Sequence, residues 1–333
     1  MPGTPIAKEK IIIGVIHITN PFSENSGYSY AHQMGIEVMK QNLDLEDNQI
    51  IYKVNVDDQD LMQIESRMRE LIAQGVNIII ATSWGYMNIC EKLAQEFPSV
   101  IFAHATGHKY NDTNFTNYFG RVYQARYLSG IVAGAQTKTG KIGYVAAWGT
   151  GNSEVTGGLN AFAMGVEKVN PQAKIYTKVT YNWFDPMGET AAARALIAAG
   201  CDVITQHCDT AYPQIEAQRA GVWSIGYNTD MSTEAPEAVL TSVLWNWGAY
   251  YTTLVQSVIN GTFTTTPWFG SLKDGIVDLA PLNENINWDP EILKLFEEER
   301  QRIESGAFNV FSNLSDDVIR NGIHWYYHTV EQL

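Results

Sequence analysis

Short apolar runs alternate along this chain with longer amphipathic stretches. "KIIIGVIHI" predicts a strand buried on both faces, and "GYSYAHQMGIEVMKQNL" a helix after it. "QIIYKVNV" is the next strand, followed by the helix "DLMQIESRMRELIAQ", which Gly75 stops. "VNIIIATS", the helix "NICEKLAQEF" and the strand "VIFAHAT" complete a first series. β-Branched strands in a βαβα rhythm imply a parallel sheet covered by helices.

The rhythm then restarts. "KIGYVAAW", "AKIYTKVTY", "DVITQHC" and "VWSIGYN" are strands, with helices at "EVTGGLNAFAMGVEKV" and "GETAAARALIAAG". Two halves with one grammar predict an α/β protein of two doubly wound lobes. "AVLTSVLWNWGAYYTTLVQSVING" reads as a strand end entering a long helix that closes at Gly261. A short strand around "GIVDLA" and two helical segments follow. "LKLFEEERQRIESGAF" is amphipathic, and its charged face is read as solvated.

Composition narrows the classes. With 333 residues, 45% of them hydrophobic and 17% charged, the chain has material for two ordinary domains. A net charge of −14 repels phosphate backbones and anionic lipid, so nucleic-acid binding is not expected. The three cysteines, Cys90, Cys201 and Cys208, show no metal spacing. Cys201 and Cys208 could pair, but thiols in a buried α/β unit are more often free. No apolar run reaches the ~18 to 20 residues that span a bilayer. The opening "MPGTPIAKEK" carries no signal region and no lipid-attachment cysteine, which leaves a cytoplasmic protein or a mature form.

The familiar chemical motifs fail. In "GYVAAWGTGNSEV", Gly149 and Gly151 give G-x-G, but Glu154 takes the third glycine position of a dinucleotide fingerprint. No P-loop and no G-x-S-x-G elbow is present. His324 and His328 are placed on one helical face in "HWYYH", without the glutamate of a metalloprotease, so no metal or cofactor is expected. His17, His104 and His207 fall at strand ends, as ligand contacts or as satisfied buried histidines.

Aromatic and small polar residues recur at the predicted strand ends. Phe22, Tyr28, Ser29 and Tyr30 follow the first strand, and Ser83, Trp84 and Tyr86 the third. Trp148, Trp183, Phe184 and Asp185, then His207, Asp209, Asn228 and Trp245, do so in the second half. Rings at ligand-binding edges suit a flat ligand held by offset stacking.

These residues resemble the basic membrane protein (Bmp) family of ABC transporter substrate-binding proteins, which includes purine nucleoside receptors. The likeness runs over about residues 10 to 315. It rests on "GYSYAHQMG", on "YFGRVYQARYLSGIVAG", and on "YNWFDPMGETAAARALIAAGCDVI", similar to an F-x-D-P segment followed by G-A-D-V. "SIGYNTD" and "VLTSVLW" are similar to V-D-x-D and S-x-x-K segments.

The resemblance implies a type I periplasmic-binding-protein fold with three hinge crossings, near Arg121, Ser242 and Leu279. The expected N-terminal lobe is then 1–121 plus 243–279, the C-terminal lobe 122–242 plus 280–333, with the ligand cleft between them. It implies an extracytoplasmic receptor, with no chemistry of its own, that partners ABC permease subunits; membrane attachment would come only through a lipid anchor missing from this chain. Tyr28 takes the place of the aromatic that stacks on the base. Trp183 or Phe184 takes that of the opposing ring, and Thr106 that of a polar group after the fourth strand.

Where the family grips ribose with an aspartate and a lysine, this chain has Asn228 and Trp245. A charged pair holds sugar hydroxyls strongly, whereas an indole offers one N–H and an apolar face. The expected ligand is therefore a free purine base, with Asp185 and Asp209 tilting the choice to adenine over hypoxanthine or guanine. The alternatives are a purine nucleoside, another flat heterocycle such as a flavin, a sugar, or a nucleoside-processing enzyme; a repressor effector domain lacks its helix-turn-helix here. In "SVLWNWGAYY", Trp245 is assigned to the ligand and Trp247, Tyr250 and Tyr251 to packing.

Overall fold

The computed structural model describes residues 3–333; residues 1 and 2, which the expected first lobe includes, lie outside the described residues. The first series of apolar runs forms β1 (Ile13–Ile16), β2 (Ile50–Lys53), β3 (Ile78–Ala81) and β4 (Ile101–Ala105), joined by α1 (Tyr28–Leu43), α2 (Leu61–Ala73) and α3 (Met87–Glu96). β5 (Phe115–Gly120) and α4 (Val122–Gln136) come next. The second series is β6 (Lys141–Ala146), α5 (Ser153–Val169), β7 (Lys174–Val179), α6 (Pro186–Ala198), β8 (Val203–His207), α7 (Tyr212–Ala220), β9 (Trp223–Asn228) and β10 (Val239–Trp245). α8 (Gly248–Asn260), β11 (Trp268–Gly270), β12 (Val277–Leu279), α9 (Pro290–Glu304), α10 (Asp316–Asn321) and β13 (Val330–Gln332) follow.

Local chemistry sets the ends of these elements. Asp60 caps α2 by accepting from the N–H groups of Met62 and Gln63. Gly261, at φ 69°, ends α8 in the left-handed conformation that glycine adopts without penalty.

The chain forms two compact units. The first runs to Asn25 and adds Ser29–Gly120 and Asn246–Gly270; the second holds Ser26–Tyr28, Arg121–Trp245 and Ser271–Leu333. The sheet of the first unit has the order β11-β5-β4-β3-β1-β2, and its neighbouring strands all run parallel. The second sheet has the order β12-β10-β9-β8-β6-β7-β13, parallel except where β12 meets β10.

The unit boundaries differ from the expected lobes at two crossings. Val243–Trp245 belongs to the second unit because it continues β10, which pairs with β9. Ser271–Leu279 belongs there too, because Leu279 pairs antiparallel with Val243. Besides the short Ser26–Tyr28 stretch, the crossings fall after Gly120, Trp245 and Gly270.

α8 fills the core of the first unit with rings. Trp247 is fully buried and stacks on His32, with ring centroids 4.2 Å apart and planes at 13°. Tyr251 sits at hydrogen-bond distance from His32 Nδ1 (2.5 Å) and from the Tyr118 hydroxyl (2.9 Å). Tyr250 stacks on Tyr118 at 4.3 Å. Trp247, which immediately precedes α8, and Tyr250 and Tyr251 within it are packing residues.

In the second unit α4 and α5 meet backbone to backbone. A Cβ on Gly165 would stand 1.9 Å from the Tyr127 carbonyl oxygen, and one on Gly130 would stand 2.1 Å from that of Phe162. Only glycine fits either place, and neither obstacle is a side chain that could swing away. Gly165→Ala is therefore expected to destabilise the protein by about 1–3 kcal/mol as an overpacked contact, in spite of the better helix propensity of alanine. Thermal melting of the variant beside the parent checks this.

Candidate ligand-binding site

In the second sheet β6 lies between β7 and β8, so the direction of winding reverses between β6 and β8. Open α/β sheets bind ligands outside the carboxyl ends of the strands at such a point. The residues there come together. The backbone N–H of Asp209, just past β8, donates to the Trp183 carbonyl at 2.8 Å and ties the "YNWFDP" loop to the strand edge. Asn228 ends β9 at φ 69°, a left-handed conformation that asparagine tolerates better than most residues. That turn lets its Nδ2 donate to Asp209 Oδ1 at 3.0 Å. Its Oδ1 is buried and has no hydrogen-bond partner among the described residues.

Gly27, at φ 96°, packs on the same edge: a Cβ there would lie 2.5 Å from the Asp209 carbonyl oxygen. It carries half-buried Tyr28 beside the cluster. Tyr28, Trp183, Asp209 and Asn228, scattered in sequence, thus share one strand edge. Trp245 ends β10 nearby, 4% exposed, and its Nε1–H donates to the Tyr227 hydroxyl at 3.0 Å.

Behind this edge lies a charged group that the sequence reading passed over. Arg126 of α4 is fully buried, and its three guanidinium nitrogens have no hydrogen-bond partner among the described residues. Its charge rests on rings instead, 4.2 Å from the centre of Tyr227 and 5.6 Å from that of Tyr144. Glu154, in the first turn of α5, accepts from the Tyr227 hydroxyl at 3.4 Å and lies 3.5 Å from His207 Nε2. Burial, aided by the negative charge of Asp209, pushes the Glu154 carboxyl up to about 8 against the opposing pull of Arg126. Burial holds His207 neutral, well below the ordinary histidine value, and Arg126 adds to that. Gly158 leaves room for the cluster, since a Cβ there would sit 2.9 Å from the His207 ring.

The other expected residues are spread more widely. In the first unit Ser29 accepts from the Thr19 N–H at 3.4 Å, and Ser83 Oγ donates to Asp58 Oδ2 at 2.5 Å while capping the turn that holds Trp84. Trp84 is 56% exposed. Thr106, the residue after β4, has φ 66°, strained for a β-branched residue, of the kind that concentrates at functional sites. In the second unit Phe184 is 52% exposed, while Trp183 meets the His207 ring edge-on at 6.1 Å. Asp185 Oδ1 accepts from the Gly188 N–H and caps α6. Glu189 pairs with that cap and with the Thr210 hydroxyl, and burial pushes its carboxyl up to about 8.

The histidines divide. His104 Nε2 is 3.1 Å from the Lys109 carbonyl, and His207 Nδ1 is 3.1 Å from the Tyr144 hydroxyl, so both are engaged in the interior. His17 is fully buried, and burial lowers it to about 4. His324 and His328 do not share a helical face, because α10 ends at Asn321 and Gly322. His324 Nδ1 is 2.9 Å from the Thr150 carbonyl and His328 Nε2 is 2.8 Å from Glu167 Oε1. Cys90, Cys201 and Cys208 are free and buried, so Cys201 and Cys208 form no disulfide. Among the described residues no group of three or more His, Cys, Asp or Glu is placed to hold a metal ion, and no helix is long and apolar enough to cross a membrane.

The family model described as ABC transporter substrate-binding protein PnrA-like matches residues 14–309. A purine-binding protein of Brucella abortus is 34% identical over 310 residues, covering 93% of this chain and 85% of the relative. A putative ABC transporter glucose-binding protein of Haloferax volcanii is 32% identical, covering 88% and 74%. Among solved structures, an ABC transporter solute-binding protein of Aeropyrum pernix superposes with a TM-score of 0.76 at 18% identity, covering 93% of this chain and 95% of that one. The fold is that of type I periplasmic binding proteins.

The two raised carboxyls make stability depend on pH. In the folded chain Glu154 and Glu189 keep their protons to about pH 8. In the unfolded chain they ionise near about 4.3. Between those values the folded state binds more protons, so stability falls as pH rises and levels off above about 8. The buried histidines oppose this only below about pH 6.5, where the unfolded chain takes up protons that they do not. The urea midpoint is expected to be lower at pH 8 than at pH 7, and the drop to be smaller in Glu154→Gln and in Glu189→Gln.

Proposed function

The chain belongs to the Bmp family of ABC transporter substrate-binding proteins, whose members bind a solute and catalyse no reaction, and from that footing we propose that its solute is a purine base. The observation that carries this reading is the pair at the ends of β9 and β10. Where the family resemblance places an aspartate and a lysine for ribose, the chain has an amide and an indole. The indole N–H is committed to Tyr227, so the position offers a sugar only an apolar surface. The purine-binding relative from Brucella abortus supports the same ligand class.

Within that class the site favours adenine. The buried Oδ1 of Asn228 is an acceptor without a partner among the described residues, and an exocyclic amino group is a donor that would satisfy it. Hypoxanthine presents a carbonyl at that position and would leave two acceptors facing each other. Tyr28 and Trp183 supply the rings that stack on the base. Location outside the cytoplasm and delivery of the base to permease subunits follow as properties of the family. A sugar reading has the Haloferax volcanii relative behind it, but the indole and the lack of a charged pair at the two sugar-gripping positions count against it.

Calorimetry with adenine, hypoxanthine, guanine, adenosine and glucose tests the proposal. Adenine is expected to bind most tightly and adenosine at least about tenfold more weakly, a difference of roughly 1.4 kcal/mol. Tighter binding of adenosine overturns the base, and tighter binding of glucose overturns the purine. Trp183→Ala and Tyr28→Ala are each expected to weaken adenine by about 2- to 13-fold, the equivalent of one lost stacking contact of about 0.5–1.5 kcal/mol. Trp245→Ala is expected to weaken adenine as well; unchanged affinity would assign Trp245 to the core.

A further inference from the structure

Trp245 has a single hydrogen-bond donor, and the protein has already used it. Its Nε1–H points to the Tyr227 hydroxyl at 3.0 Å. That hydroxyl has one proton of its own, which goes to Glu154 Oε1 at 3.4 Å. The indole can only donate, so the phenolic oxygen accepts from it and the phenolic O–H is left to donate to Glu154 Oε1.

The strand register makes the contact. Tyr227 of β9 pairs with Val243 of β10, so Trp245 is two residues further along on the same face. The Tyr227 ring is held in place by the Arg126 guanidinium at 4.2 Å and by the edge of His207 at 4.5 Å. Tyr227 itself is 1% exposed, so its hydroxyl is out of reach of a ligand and acts through the indole.

We propose that Tyr227 and Glu154 are specificity-determining positioning residues: by holding the donor of Trp245 inside the second unit, they deny it to a sugar hydroxyl and so set the preference for a purine base over its nucleoside. The inference rests on the base-binding reading above. It places the discrimination in a residue pair that touches no ligand. The indole would serve a ribose hydroxyl well if its N–H were turned outward, so the volume of Trp245 is only half of the device.

The test compares adenine and adenosine affinities, by calorimetry, in the parent and in Tyr227→Phe, which keeps the ring on Arg126 and removes the acceptor. The adenine-over-adenosine preference is expected to narrow by about tenfold, the worth of one released hydrogen-bond donor. The indole Nε1–H resonance of Trp245, assigned in a 15N spectrum by its disappearance in Trp245→Phe, is expected to shift in the ligand-free variant. A preference within about twofold of the parent's, in a folded Tyr227→Phe, overturns the inference.

Glu154 gives an independent arm should Tyr227→Phe fail to melt cooperatively. Glu154→Gln keeps an oxygen for the Tyr227 proton and is expected to preserve the parental preference. Glu154→Leu leaves the hydroxyl free to turn and is expected to narrow it as Tyr227→Phe does. Equal preferences in the two Glu154 variants overturn the inference. A parent that binds adenosine more tightly than adenine overturns the reading of the site itself, and that outcome shows in the parent alone.

Discussion

A guanidinium buried without a hydrogen-bond partner among the described residues is the constraint around which the second unit is arranged. Taking such a charge out of water costs several kcal/mol even after relaxation. Arg126 recovers part of that from the faces of Tyr227 and Tyr144, while Glu154, which keeps its proton to about pH 8, accepts from the same Tyr227. Each partner comes from a different element: Tyr144 from β6, Glu154 from α5, Tyr227 from β9. The glycine contact between α4 and α5 makes this feasible, because it lets the two helices lie close enough for Arg126 and Glu154 to reach the same tyrosine. Packing at Gly130 and Gly165, the charge of Arg126 and the orientation of Trp245 are therefore one connected arrangement.

Much of the fold was legible because the parallel strands are nearly continuous β-branched runs, "IIIGVI" and "NIIIAT" among them. β5 escaped because "FTNYFG" carries two polar residues inside it. In the structure Asn117 Nδ2 donates to the Lys109 carbonyl, and the Thr116 hydroxyl to that of Thr266, so the strand is buried with its polar groups satisfied from outside. β11 and β13 are three-residue edge strands, too short for any period to show. The crossings at Trp245 and Gly270 depend on β10 and β12 pairing across a long stretch of chain, and no local pattern reports such a pair.

The candidate site was legible in its rim and hidden in its support. Aromatic and amide residues at strand ends stood out because loops after parallel strands seldom need them for packing. Tyr227 did not stand out, being one residue before such an end and pointing inward. Arg126 left one signal, a lone charge in the otherwise small and apolar "ARYLSGIVAG", and such a charge within a buried helix must meet something that stabilises it. Glu154 was noticed only as the residue that spoils a glycine fingerprint, whereas it is the acceptor on which the Tyr227 hydroxyl turns.

The threading of the chain also governs how it is made. The first unit owes Trp247, Tyr250 and Tyr251 to a segment that follows the whole stretch Arg121–Trp245. At ribosomal rates of about 5–20 residues per second, roughly 6 to 25 s separate the synthesis of Gly120 from that of Asn246. Through that interval His32 and Tyr118 await the rings that cover them. The half that is translated first is thus completed late, and its unfinished aromatic face is what a nascent-chain chaperone would meet.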